Sequence, residues 1–327
     1  METKYDGSLN LRSFFCFSGG LVSLDSLRTM KQLTIIRKII LENLKKDFVP
    51  FPINKKLCTK WADGLNIPEK GETVLYTSYM YQLAGIFKSY EALLPKIGAL
   101  GGIQSLGSLG KLLVRPDRKD MERAGKILAG ISQMLKDSSL DVCYLYEDEP
   151  YSGALLLELG MIREFREYGN RLSKFFEARG ISRIITVDPH TLNALTRLRE
   201  MSVLKVELNS YLDVIDMRRT TGLNKTYVLH DSCLYARYLG RRAVIREKLS
   251  QAGIELKEDN IVTGHDTSMC CGAPVGAVNR ELSEKIAQAR SSALLKVSDS
   301  ILVACPLCYQ NLAAFADDVK DIMEVIV

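Results

Sequence analysis

Apolar residues recur along this chain in two rhythms, and the switch between them divides it. From Gln32 to Lys46 they fall at helical spacing, with Leu33, Ile36, Ile39, Ile40 and Leu44 on one face. Pro50, Pro52 and Pro68 then break the chain. Residues 1–70 therefore read as a helical N-terminal arm, whose apolar face either packs on the body of the protein or docks a partner subunit. After Pro68 short apolar runs are expected as strands: Val74–Thr77, Val142–Tyr146, Arg183–Val187, Thr226–Leu229 and Ser300–Ala304. Between them lie longer amphipathic stretches, of which Ala154–Arg179 and Ala277–Lys296 predict helices. Strands alternating with helices predict an α/β fold with parallel sheets. Ligands of such folds gather at the C-terminal ends of strands, where Cys233 and Cys305 fall.

The alternation occurs twice. In the second passage a strand leads into His230-Asp231-Ser232-Cys233, then a helix, Cys270-Cys271-Gly272, a helix, and a strand running into Cys305-Pro306-Leu307-Cys308. In the first, a strand ends in Thr77-Ser78-Tyr79, Tyr151-Ser152-Gly153 follows, and a later strand runs into Asp188-Pro189-His190-Thr191. Gly153 and Pro189 are 36 positions apart, against 34 for Gly272 and Pro306. This spacing predicts an internal duplication, with a degenerate repeat over 71–220 and a complete one over 221–327. In the first repeat Tyr79, Tyr151, Ser152, Asp188 and Thr191 stand where the second has cysteines.

Those cysteines carry the chemistry. Five of the eight in the chain form the pattern C-x36-C-C-G-x32-C-P-L-C. A vicinal pair cannot easily bridge to itself, and Cys305 and Cys308 sit at chelating spacing. Five thiolates meeting at one point suit an iron–sulfur cluster. Zinc is the other reading of the same residues, but it takes four ligands in a tetrahedron, and adjacent cysteines diverge awkwardly around it. Composition agrees with a globular protein that keeps its thiols reduced. The chain is 46% hydrophobic and 25% charged, with a net charge of +5 that includes no basic block of the kind that grips nucleic acid. No apolar run reaches the roughly eighteen residues of a spanning helix, so no direct membrane span is expected. Phe14–Val22 is short and broken by Ser and Gly, unlike a signal peptide. These features predict a cytoplasmic protein.

The motif resembles the cysteine-rich CCG-domain family typified by the CCG-bearing subunit of heterodisulfide reductase, which usually carries it in two tandem copies. The resemblance covers roughly residues 72–327 and is specific in the second half, where all three motif segments match in order and spacing. It implies two pseudo-symmetric Rossmann-like α/β repeats, which follow the helical N-terminal arm. It also implies a noncubane [4Fe-4S] cluster held by Cys233, Cys270, Cys271, Cys305 and Cys308, used for electron transfer coupled to chemistry on sulfur–sulfur bonds. The implied partners are a ferredoxin-like [4Fe-4S] subunit, an FAD-containing subunit and a second CCG-domain subunit, with a small disulfide or carrier-bound sulfur as substrate. Relatives also include iron–sulfur subunits of lactate, glycolate and glycerol-3-phosphate oxidising complexes, so a pure electron relay is the alternative. Two departures stand out: Ser232 replaces a proline common before the first cysteine, and the first repeat has lost its thiols.

Other residues are read more plainly. His230, beside the first cysteine, is a candidate hydrogen-bond donor to a cluster sulfur or proton donor to a thiolate product. His265 is a weaker candidate for the same role, and His190, in the emptied first site, reads as structural. Cys16 and Cys143 read as core residues and Cys58 as a marginal redox candidate. The stretch Gly101–Leu112 fails as a phosphate loop, because Ser105 and Leu112 occupy required Gly and Ser/Thr positions. No nucleotide-binding glycine fingerprint or second cluster motif is present, so flavin and further clusters belong to partners.

Overall fold

The computed structural model describes residues 24–87, 117–217, 225–264 and 267–326, with side chains from residue 33 onward. Cys16, Phe14–Val22, Gly101–Leu112 and His265 lie outside the described residues.

The arm is a helix over Leu24–Asp47. Its apolar face is buried in the first half of the molecule, where Ile36, Ile39, Ile40 and Leu44 join a core with Tyr76, Phe165, Leu172 and Phe176. Burying a side chain as completely as Ile40 contributes roughly 1.5–3 kcal/mol. The C-terminal end of the helix is secured as well. Arg171 donates to the carbonyls of Leu44 (3.1 Å) and Lys45 (3.3 Å), which have no partner within the helix.

Strands β1 (Thr73–Tyr76), β2 (Arg183–Thr186) and β3 (Glu207–Ser210) form one parallel sheet in the order β1-β2-β3. Strands β4 (Thr226–Leu229), β5 (Glu255–Leu256), β6 (Ile301–Val303) and β7 (Val319–Asp321) form the second, also parallel, in the order β5-β4-β6-β7. The fold is α/β. Without its edge strand β5, the second sheet repeats the first, β4-β6-β7 standing for β1-β2-β3.

Side chains alternate across each strand, and the cores follow that alternation. Leu75, Ile185 and Val187 face Tyr227, Leu229 and Leu302 in a core shared by the two sheets. Val74, Tyr76 and Ile184 face the arm. Val228, Ile301 and Val303 face outward on the other side, with Cys271, Cys305 and Cys308. A reciprocal pair of bonds crosses the shared core. Tyr81 Oη donates to Asp321 at the end of β7 (3.0 Å), and Tyr235 Oη bonds Ser210 at the end of β3 (3.2 Å).

Three expected elements differ. Val142–Tyr146 is not a strand: only Cys143 pairs, with Val74, and the run ends where Tyr146 turns left-handed (φ 49°) into a short 3₁₀ turn. The helix expected over Ala154–Arg179 is two, Ala154–Glu158 and Ile162–Ala178, parted at Gly160 (φ 71°). That expected over Ala277–Lys296 is one helix that starts later, Arg280–Leu295, because the Asn279 side chain caps it by accepting from the Leu282 amide (3.0 Å).

Candidate metal centre

Each thiol is placed by a local device at the C-terminal edge of the second sheet. Cys233 begins a wide π-type turn over Leu234–Tyr238, three residues beyond the start of the β4 exit loop at His230. That geometry is uncommon and concentrates at functional sites. Its loop is pinned by Asp231, fully buried, whose two oxygens accept from Arg246 at 2.8 Å each. Cys270 and Cys271 are presented by a sharp turn at Gly272 (φ 87°). A Cβ at Gly272 would lie 2.8 Å from the Ser283 carbonyl oxygen, so only glycine fits. The turn is clamped from behind: Ser283 Oγ donates to the Gly272 carbonyl (2.9 Å) and Asn311 donates to that of Cys271 (3.2 Å). Cys305 caps the helix Pro306–Leu312, with proline at its first position, and Cys308 lies one turn on.

These devices bring the sulfurs of Cys233 and Cys270 to 3.9 Å. Further sulfur contacts link Cys270 to Cys271, Cys271 to Cys308, and Cys308 to Cys305. All five are free thiols, so the predicted residues form one contiguous set. Cys271, Cys305 and Cys308 are buried and Cys233 and Cys270 half-buried, which gives the set one edge toward solvent.

The charge balance shows what the set lacks. Hydrogen bonds from Cys233 and then Cys271 hold the Cys270 thiol well below its usual range. Burial works against Cys305, but Cys308 and the His190 charge still pull it down. The thiols that donate rise in return: Cys233 and Cys271 through their bonds to Cys270, and Cys308 through its bond to Cys271. Ionising all five in an apolar pocket calls for a multiply charged metal centre.

His230 supports the same fit. Its ring is buried, and a ligating atom of it lies within 4.8 Å of those of Cys271 and Cys308. The buried Arg290 donates Nε–H to His230 Nδ1 (3.0 Å) and Nη1–H to the Val262 carbonyl (2.7 Å). Arginine cannot accept, so Nδ1 is the acceptor and Nε2 carries the proton. Burial, aided by the Arg290 charge, pushes the ring down to about 3, so it stays neutral. Among the described residues Nε2 has no hydrogen-bond partner. It is a fixed N–H donor in a pocket of sulfur, suited to a charged sulfur and unsuited to metal ligation.

The other cysteines are separate from this set. Cys143 is buried beside the Gly71 carbonyl (3.5 Å), and burial pushes the Cys58 thiol up to about 12, which makes it a poor nucleophile. One contact was not foreseen from the sequence. His190 of the first half reaches across, its Nε2 3.3 Å from Cys305 Sγ and its Nδ1 2.5 Å from a Glu158 oxygen. Burial would lower the His190 pKa, but Glu158 and then Cys305 hold it well above the usual histidine range. No spacing in the sequence signals this contact, because it joins residues 115 positions apart.

Residues 227–313 match the CCG cysteine-rich domain family, and the chain carries such a domain there. A relative in Bacillus subtilis (strain 168), described as a probable iron-sulfur-binding oxidoreductase, FadF, is 24% identical over 319 residues. The similarity spans 94% of this chain, both halves included, but only 40% of the relative's length. Among the described residues no helix is long and apolar enough to cross a membrane.

Proposed function

We propose that Cys233, Cys270, Cys271, Cys305 and Cys308 hold a noncubane [4Fe-4S] cluster in a cytoplasmic iron–sulfur subunit of a heterodisulfide-reductase-like oxidoreductase complex. The observation that carries this reading is the meeting of five free thiols, four of them in or against one apolar core, beside a proton-bearing His230 Nε2 that has no partner among the described residues. Zinc would use four of the thiols and strand the fifth. The description of the Bacillus relative as iron–sulfur-binding agrees with the cluster.

When bound, such a cluster passes electrons singly and offers an iron to a substrate sulfur. The chain's own residues set the conditions. Cys271, Cys305 and Cys308 keep water from the inner side, and Cys233 and Cys270 face the side from which a small disulfide or carrier-bound sulfur would approach. His230 offers Nε2–H to charge building on sulfur. Reducing a disulfide consumes two electrons and two protons and releases two thiols. The electrons would come from ferredoxin-like and FAD-containing partner subunits, and a second CCG-domain subunit would supply the site the first half lacks. The loss of those thiols favours a second reading: an electron relay in a lactate-, glycolate- or glycerol-3-phosphate-type dehydrogenase complex.

Iron, sulfide and zinc per chain, measured with an absorption spectrum on protein purified without oxygen, test the proposal. About four irons and four sulfides are expected. One zinc without sulfide would sink the cluster and leave a structural metal site. Disulfide-dependent reoxidation of the reduced protein separates the two redox readings, since a relay alone would not respond.

A further inference from the structure

The half without the motif cysteines does not leave the site alone. We propose that Glu158 and His190, both from the first half, form a positioning pair that donates a hydrogen bond from His190 Nε2 to the Cys305 sulfur and so completes the metal centre of the second half. This rests on reading the cysteines as a metal centre, and goes beyond it by assigning a role to residues outside the motif.

The hydrogen-bond partners require it. Glu158 faces His190 Nδ1, and a carboxylate only accepts, so Nδ1 carries a proton. A metal-bound Cys305 sulfur carries none, so the contact at 3.3 Å is attractive only with a second proton on Nε2. The ring lies between Glu158 and Cys305, buried at 4% exposure and held at both ends. Its backbone is fixed too: the Asp188 side chain accepts from the amides of His190 (2.8 Å) and Thr191 (3.0 Å) at the start of the helix Pro189–Glu200.

The duplication supplies an internal control. His190 follows Pro189 as Leu307 follows Pro306, each one residue beyond the proline at a strand end. Both cross toward the other half. Leu307 packs against the apolar cores of both halves, while His190 makes a polar contact with Cys305. The same position carries an apolar side chain in one loop and a ring hydrogen-bonded to a carboxylate in the other. A residue kept only to fill space would not need a carboxylate behind it.

An N–H bond to a cluster sulfur stabilises the more negative state and raises the reduction potential. Outer partners of ligands also strengthen metal binding, typically tenfold or more. The full chain, purified without oxygen, is therefore compared with His190→Leu, His190→Gln and Glu158→Gln. Two measurements are made: the rate of metal loss to a chelator, and the midpoint potential by redox titration. His190→Leu copies the residue of the twin loop and is expected to lose metal about tenfold faster. A tenfold change in the reduction equilibrium would lower its midpoint by about 59 mV for one electron. His190→Gln, which returns an N–H near the Nε2 position, is expected to restore most of both, and Glu158→Gln to show a smaller change of the same sign. Unchanged retention and potential in His190→Leu would overturn the proposal. So would equal losses in the Leu and Gln variants with none in Glu158→Gln, the mark of packing alone. If His190→Leu does not fold, Glu158→Gln decides, and no change there overturns the proposal. A zinc-loaded, sulfide-free protein would defeat the cluster reading, while metal retention would still judge His190.

Discussion

Where β1 and β2 end, the first half is closed by oxygen; where β4 and β6 end, the second is closed by sulfur. In the first half several of the groups at the motif positions and around them pair with one another, while among the described residues Asp188 Oδ2 and Thr191 Oγ1 have no partner. Thr77 donates to the buried Glu149 (2.7 Å), Ser78 to Ser152 (3.0 Å), and the Ser152 amide back to Ser78 (2.8 Å). Tyr151 takes up space where a thiol pair would stand, its hydroxyl accepting from the Leu155 amide (2.9 Å). Each such bond contributes about 1 kcal/mol net. In the second half the corresponding contacts run between sulfurs, such as the 3.9 Å between Cys233 and Cys270. The left-handed glycine and the first-turn proline are common to both halves, at Gly153 and Gly272 and at Pro189 and Pro306. These repeat halves therefore keep their shape without thiols, and the sulfur set answers to what it binds.

The sharpest way to break this comparison is to remove a thiol. Cys271→Ala is expected to abolish iron binding and colour, while Ser152→Ala at the corresponding place leaves the iron content unchanged; metal analysis of both decides it. Equal iron in the two would end the distinction between the halves.

The next effect belongs to the oxygen-lined half and depends on pH. Burial lifts Glu149 from 4.5 to about 8, despite hydrogen bonds from Thr77 that pull it down. The folded state thus prefers the protonated acid. Its stabilising preference is complete below about pH 4.5 and is lost as pH rises through about 8, with an upper bound of roughly 4 to 5 kcal/mol. Asp188 and Asp321, each raised by burial to about 6, act with the same sign over a lower range. Glu149→Gln should therefore flatten the fall in melting temperature between pH 5 and 8. An identical slope in the variant would show that Glu149 does not carry it.

A smaller contrast lies in the two glycines. Alanine in a left-handed conformation costs about 1–2 kcal/mol. At Gly272 the added Cβ would also meet a backbone oxygen at 2.8 Å, whereas at Gly153 it would meet the edge of the Tyr168 ring at 3.0 Å. Gly272→Ala is expected to cost about 3 kcal/mol or more in denaturant unfolding, and to loosen metal binding. Gly153→Ala should cost about 1–2 kcal/mol and leave the metal in place. A larger loss at Gly153 would reverse the comparison.

The sequence by itself determined the periodic elements and the grouping of the five cysteines. Thr226–Leu229 is legible because its apolar run is short and continuous, and the arm because its face repeats at helical spacing; both signals are local. The cysteines are legible because chelation requires particular spacings within loops. Breaks within helices were not, since Gly160 stops one only through the conformation it adopts in place, and Val142–Tyr146 has the composition of a strand without the neighbours to pair along its length. The tertiary structure alone decided which atoms meet. It set the tautomer of His230 through Arg290, sixty residues away in the chain, and it carried His190 from a site without thiols to the edge of one that has them. Spacing along a chain reports what one segment can do, but a proton's position is fixed by whichever donor or acceptor the fold brings within about 3 Å.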